Sequence, residues 1–104
     1  GVFTIFGDDY DTEDGTCIRD YVHVNEICES IISALKKPAN GIENLGHGRG
    51  TSVLDMFNIF KKINNLNISL EYSCRRDGDI PVSVLKNKSS YIKDLYSIED
   101  LLKI

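Results

Sequence analysis

The chain has 104 residues, a formal charge of −4, 41% hydrophobic and 27% charged residues. That length supports one domain with a modest core and excludes a two-lobed enzyme with separate cofactor and substrate domains. The acidic balance argues against broad affinity for nucleic acid or anionic membranes, no apolar run approaches the ~18 residues of a membrane span, and the opening residues lack a signal-peptide layout, so a cytoplasmic protein is expected.

Val2 to Phe6 is a β-rich run closed by Gly7, and Asp8 to Gly15 forms an acidic loop. Its carboxylates do not follow EF-hand order: with Asp9 as first ligand, Asp14 falls where the turn glycine belongs and Asp20 where a bidentate Glu is expected. Cys17 to Val24 reads as a strand, with Tyr21 and His23 on one face and Val22 and Val24 on the other; Asn25 is the expected helix cap. From Glu26 to Lys37, Ile27, Ile31, Ala34 and Leu35 recur at helical spacing, and Pro38 closes an amphipathic surface helix. Gly41 to Leu45 suits a short strand leading into the turn Gly46-His47-Gly48-Arg49-Gly50. Thr51 or Ser52 then caps a helix through Asn64, with Ser52 and Asp55 suited to a capping box and Val53, Leu54, Met56, Phe57, Phe60 and Ile63 facing a core. Ile68 to Ser73 and Val82 to Leu85 read as strands, and Ser97 opens a short final helix.

The eight lysines fall on helix faces or in the tail, whereas Arg19, Arg49, Arg75 and Arg76 sit at strand ends or in loops. Guanidinium groups there match phosphate oxygens, and a diphosphate would suit them; pairing with the nearby Asp20, Asp77 and Asp79 is the alternative, and spacing leaves both open. Gly46-x-Gly48-x-Gly50 resembles a phosphate-cradling turn but lacks the G-x-G-x-x-G fingerprint and a P-loop lysine, which favours a plain tight turn. His23 and His47 read as structural histidines, and no metal site is expected. Cys17, Cys28 and Cys74 form an odd set without a CxxC pair, so reduced thiols are the simplest reading. There is no Tyr-x-x-x-Lys and no legible nucleophile–base pair, so no catalytic residue is expected in this chain.

Three ordered motifs carry a likeness. The run from Ile5 to Val24, the run from Asn44 to Leu54, and Arg75-Arg76-Asp77-Gly78-Asp79 closely resemble the carboxyl-terminal half of UDP-glucose (UDP-galactose) 4-epimerases, in the extended short-chain dehydrogenase/reductase group. The resemblance implies an α/β lobe, a small mixed sheet with two or three helices, occupying residues 1–104 as a single UDP-sugar-binding unit. The amino-terminal Rossmann lobe, with its NAD and its catalytic Tyr-x-x-x-Lys, is absent from these residues, and the start at Gly1 rather than Met is expected to mark a piece of a longer protein. By the same likeness Thr4 and Phe6 lie beside the uracil, Arg19 and Arg76 hold the diphosphate, Tyr21 and Val53 wall the nucleotide, and Asp79 fixes a ribose hydroxyl. Ser83 falls where the family varies between a bulky tyrosine and a small residue, which implies acceptance of UDP-N-acetylhexosamines as well as UDP-glucose and UDP-galactose.

The implied role is therefore the substrate-binding part of an epimerase of galactose metabolism, not catalytic by itself and without a cofactor of its own. A free-standing UDP-sugar-binding module or a degenerate remnant are the alternatives. The family homodimer is expected to use the missing lobe. Three departures from the family pattern stand out: Lys37 to Gly41 forms a shortened connection, Glu43 replaces an aromatic residue, and Lys86 to Ser90 replaces the Asp-x-Ser-Lys and Leu-Gly-Trp features. Phe3, Ile5 and parts of the first helix are expected to lie open where the missing lobe would pack.

Overall fold

The computed structural model describes residues 1–37, 41–93 and 95–104. Its elements run β1 (Val2–Phe6), β2 (Ile18–Arg19), α1 (Val24–Lys36), β3 (Thr51–Ser52), α2 (Val53–Ile63), β4 (Ser69–Ser73), β5 (Val82–Ser83) and α3 (Ile98–Leu102). This is the expected α/β class, with the strands in two small sheets. β1 and β4 pair in parallel from Val2 with Ser69 to Phe6 with Ser73. In the second sheet β2 lies between β3, which is antiparallel to it, and β5, which is parallel. A radius of gyration of 15.7 Å exceeds the ~13 Å usual for a compact domain of 100 residues, so the core is thin.

That core contains Ile5, Tyr10, Cys17, Phe57 and Ile92. Phe57 comes from the apolar stripe of α2, and its ring stacks on Phe3 with centroids 5.0 Å apart, which docks the helix on β1. The first backbone N–H groups of α2 have no partner within the helix, and the chain ahead of β2 supplies them. Val53 N–H donates to the Cys17 carbonyl at 2.9 Å and Leu54 N–H to Thr16 Oγ1 at 3.2 Å, while Ser52 Oγ accepts from Asp55 N–H at 3.0 Å. Of the expected Ser52–Asp55 box only this forward half forms, because Asp55 points to solvent and Ser52 instead donates to Asp14 Oδ2.

The acidic loop is an ordered connection. Asp14 Oδ1 accepts from the Thr16 N–H at 2.9 Å and the Thr16 hydroxyl at 2.7 Å, and Tyr10 N–H donates to the Gly15 carbonyl. Gly15 has φ +82°, and a Cβ there would meet the Asp8 carbonyl oxygen, so the loop closes only around glycine.

Several expected boundaries move. The strand expected over Cys17 to Val24 is only Ile18–Arg19, because the chain leaves the sheet at Asp20 and His23 is already a helix cap. Asn25 is not that cap: its backbone N–H donates to His23 Nδ1 at 3.0 Å, and Glu26 returns a bond to the His23 N–H, completing a capping box. No strand forms over 41–45; that segment runs along the surface with Ile42 95% exposed, and no described strand pairs with it. The helix stop expected at Pro38 lies outside the described residues, as do residues 38–40 of the shortened connection. Ile5 does not lie open; it is 2% exposed, and Phe3 is half-buried.

In α1 the polar residues face inward: Glu26 and Ser30 are buried, whereas Val24, Ile27, Ile31, Ile32 and Leu35 are exposed. An apolar stripe this long promotes association. Sedimentation is expected to show concentration-dependent self-association that the double substitution Ile31→Lys, Leu35→Lys removes; equal behaviour of both chains would count against a role for this face.

Candidate functional site

A cleft of about 280 Å³ opens between β1, β2 and the start of α2, at the lower edge of the ~300–1,000 Å³ common for ligand pockets. β1 lines it with Phe3, Thr4, Ile5 and Phe6, and Val53 closes one side from the first turn of α2. Across it stand Cys17, Arg19 and Tyr21, from β2 and the residues that flank it. Arg76 and Asp79 enter from the loop after β4. Seven of the eight candidate residues, Thr4, Phe6, Arg19, Tyr21, Val53, Arg76 and Asp79, thus meet around one space.

Ser83 is not in that lining. It is exposed and borders a separate depression with Asp20, Leu45 and Leu85. The parallel register nevertheless sets it opposite Arg19 across the β2–β5 ladder. Sequence reasoning passed over Cys17, Phe3 and Ile5 as cleft residues, although the period-two pattern already places Cys17 on the face of Arg19 and Tyr21.

The four arginines separate by partner. Arg75 Nε donates to Asp9 Oδ1 at 2.7 Å, and its guanidinium carbon lies 4.2 Å over the Tyr10 ring. The hydrogen bond from Arg75 holds the exposed Asp9 carboxyl below its usual range. Arg49 donates to the Tyr96 carbonyl. Arg76 Nε donates to Asp79 Oδ2 at 3.0 Å while its guanidinium sits 5.1 Å above the Phe6 ring. Arg19 donates to the neighbouring Ile18 carbonyl at 2.9 Å, and among the described residues no carboxylate lies within ion-pair distance of it. Burial pushes the Tyr21 hydroxyl pKa up, and the nearby positive charge of Arg19 pulls the other way.

Asp20, a candidate partner for arginine, serves the glycine turn instead. Its Oδ1 accepts from His47 N–H at 3.2 Å and its Oδ2 from Gly48 N–H at 2.9 Å. With a carboxylate seated on those amides, the turn does not form a phosphate cradle, and the plain tight turn is what the chain builds. His47 is buried, with Nε2 3.0 Å from Glu26 Oε1, and His23 caps α1 and stacks on Tyr96 at 4.1 Å. No group of three or more His, Cys, Asp or Glu suited to a metal ion occurs among the described residues.

The Tyr10 hydroxyl is a buried group without a hydrogen-bond partner among the described residues, and burial pushes its pKa up. Leaving a buried hydroxyl unpaired is costly, so Tyr10→Phe is expected to raise the unfolding midpoint or leave it unchanged. A clear fall in thermal midpoint would show that the hydroxyl has a stabilising partner after all.

No protein-family model matches the chain. Over 81 residues it is 47% identical to the UDP-glucose 4-epimerase of Haemophilus influenzae, a match covering 74% of this chain and 24% of that one. With UDP-glucose 4-epimerase 4 of Oryza sativa subsp. japonica it shares 41% identity over 109 aligned positions, covering 96% and 30%. Its fold superposes on the UDP-glucose 4-epimerase of Bifidobacterium longum, solved with NAD+ and UDP, at a TM-score of 0.84 and 31% identity, over 95% of this chain and 32% of that one. The chain belongs to the UDP-glucose 4-epimerase family. It spans about a quarter to a third of the length of these relatives and matches their carboxyl-terminal part.

NAD accompanies the Bifidobacterium epimerase, but the glycine turn here does not fit the phosphates of a dinucleotide. The amides of His47 and Gly48 are engaged by Asp20. Gly46 and Gly50 serve close packing, since a Cβ on them would strike Leu85 and Ile18 at 2.7 and 2.6 Å. No described helix is long and apolar enough to cross a membrane.

Glu43, ahead of the glycine turn, is bonded to the tail. Glu43 Oε1 accepts from the hydroxyls of Ser89 at 3.0 Å and Ser90 at 3.4 Å.

Proposed function

We propose that residues 1–104 form the UDP-gripping lobe of a UDP-hexose 4-epimerase, binding UDP-glucose and UDP-galactose through the cleft between β1, β2 and α2. The observation that carries this reading is the convergence of Arg19 and Arg76, 57 positions apart in the chain, on one cleft. Arg19 has no carboxylate partner among the described residues, and Arg76 is oriented by Asp79, so two guanidinium groups are available to a diphosphate. Thr4, Phe6, Tyr21 and Val53 supply edges and apolar surface for the nucleoside, and Asp79 offers an acceptor to a ribose hydroxyl. The Bifidobacterium relative, solved with UDP, supports the same ligand class.

In this reading the chain contributes binding, not bond making. The nucleotide is a handle remote from the reacting sugar, and its binding energy holds the sugar in place. The carbonyl–hydride chemistry belongs to NAD, whose phosphates the glycine turn of this chain does not fit, so catalysis resides in polypeptide outside residues 1–104. The exposed stripe of α1 is the face on which that polypeptide packs. Ser83, small and next to Arg19 across the ladder, leaves room for an N-acetyl group.

Isothermal calorimetry with UDP tests the reading. Saturable heat with UDP, and much weaker heat with uridine, is expected. No saturable heat with UDP sinks it.

A further inference from the structure

The loop that brings Arg76 to the cleft has little burial to hold it. After β4 ends at Ser73, residues 74–78 and Ile80 are exposed, and the chain is caught again only at Pro81, whose carbonyl accepts from Ile18 N–H at 2.8 Å. Two hydrogen bonds close within the loop: Asp79 N–H donates to the Arg76 carbonyl at 3.4 Å and Arg76 Nε to Asp79 Oδ2 at 3.0 Å. Among the described residues, Arg75 makes the only hydrogen bonds that leave residues 74–80 for another segment.

Those bonds go to two acceptors of one residue. Arg75 Nε donates to Asp9 Oδ1 at 2.7 Å and an Nη2 proton goes to the Asp9 backbone carbonyl at 2.8 Å, while the guanidinium lies over the Tyr10 ring. Tyr10 is 5% exposed and its N–H donates to the Gly15 carbonyl, so the ring is a fixed platform. Gly7, at φ +101°, keeps the approach open, since a Cβ there would meet Arg75 Cγ at 2.9 Å and Tyr10 Cε2 at 2.6 Å. Arg75 does not line the cleft, whereas Arg76 does. Consecutive Cα atoms are about 3.8 Å apart, so fixing Arg75 fixes the point from which Arg76 reaches inward.

We propose that Arg75 is a positioning residue, which clamps the loop to Asp9 and Tyr10 and so holds the Arg76 guanidinium at the cleft without touching the nucleotide. The inference rests on the function proposed above and divides two adjacent arginines between scaffold and ligand. A grip that is already ordered binds more tightly, because less freedom is lost when the ligand arrives.

Asp9→Ala separates this role from that of a bystander. By charge alone, removing a carboxylate near a diphosphate site tightens UDP binding; loss of the clamp weakens it. Calorimetry is expected to show UDP affinity about three- to fivefold weaker in Asp9→Ala, the scale of one exposed ion pair. On an Arg76→Ala background the same substitution should change affinity less than about twofold, since the clamp then has no guanidinium to position. A merely structural loss would be equal on both backgrounds. Trypsin is expected to cut Asp9→Ala after Arg75 or Arg76 about three- to fivefold faster than the parent, because the loop opens more often. Tighter or unchanged UDP binding in Asp9→Ala, an equal loss on both backgrounds, or an unchanged cleavage rate each overturn the inference. If the parent chain gives no UDP heat, the function proposed above fails, and the cleavage rate alone decides whether Arg75 clamps the loop.

Discussion

Glu26→Ala is expected to lower the stability of the chain by about 3–5 kcal/mol, the usual cost of removing one partner from a buried charged network. Against a total of ~5–15 kcal/mol for ordinary domains, that would leave a large unfolded fraction, visible as a lowered urea midpoint. Glu26 is fully buried, and its two oxygens serve three chain segments. Oε1 accepts from the His23 N–H at 3.1 Å and faces His47 Nε2 at 3.0 Å, and Oε2 accepts from the Leu95 N–H at 3.2 Å. The start of α1, the glycine turn and the tail thus meet at one carboxylate, and truncation takes that shared acceptor out of a buried site. A urea midpoint within error of the parent would refute this account.

The same residue sets a pH dependence. Burial raises the Glu26 pKa, but hydrogen bonds from His47 and from the His23 and Leu95 amides outweigh it, and the net direction is down. A carboxyl with a folded pKa below its unfolded value of ~4.3 stabilises the fold above that pH and loses the contribution as pH falls towards the folded value. Stability should therefore drop more steeply below about pH 4 in the parent than in Glu26→Gln, which cannot titrate there. Parallel curves for the two chains would show that another group controls the acid limb.

Arg19→Ala is expected to weaken UDP binding about 10- to 100-fold, the equivalent of ~1.5–3 kcal/mol for a hydrogen bond to a charged group. The thermal midpoint should barely move, because the side chain's own hydrogen bond is a local one to the Ile18 carbonyl. Arg76→Ala is expected to act less cleanly, since it also releases Asp79 from its 3.0 Å bond. Arg19→Lys should recover only part of the affinity, because an ammonium lacks the paired, planar donors of guanidinium. UDP titrations indistinguishable between parent and Arg19→Ala would remove the basis of the proposed function.

What could be read in advance follows the range of the interaction responsible. β1, the span of α2, its Ser52 cap and the Ser97-capped α3 depend on short-range patterns, namely strand propensity before Gly7, apolar spacing from Val53 to Ile63, and hydroxyls that cap at fixed offsets. Those were legible. The cap of α1 was misassigned by two residues because an imidazole can fill the role of a serine, and His23 does so with Glu26 in reciprocal position. The strand expected from Cys17 to Val24 shrank to two residues because strands last only where a neighbour pairs with them, and β3 and β5 are each two residues long.

The candidate site was legible in parts but not as a unit. Its arginines, its aromatic residues and the likeness of three motifs to the epimerases were properties of the sequence alone, since they depend on residue type and order. Which arginine keeps a guanidinium unpaired with carboxylate among the described residues, that Asp20 holds a turn rather than a cation, that Glu43 meets Ser89, and that Cys17 shares a cleft with Arg76 were decided only in three dimensions. Each of these pairs residues distant in the chain, and distance through space, on which electrostatics and hydrogen bonding depend, exists only once the chain has folded.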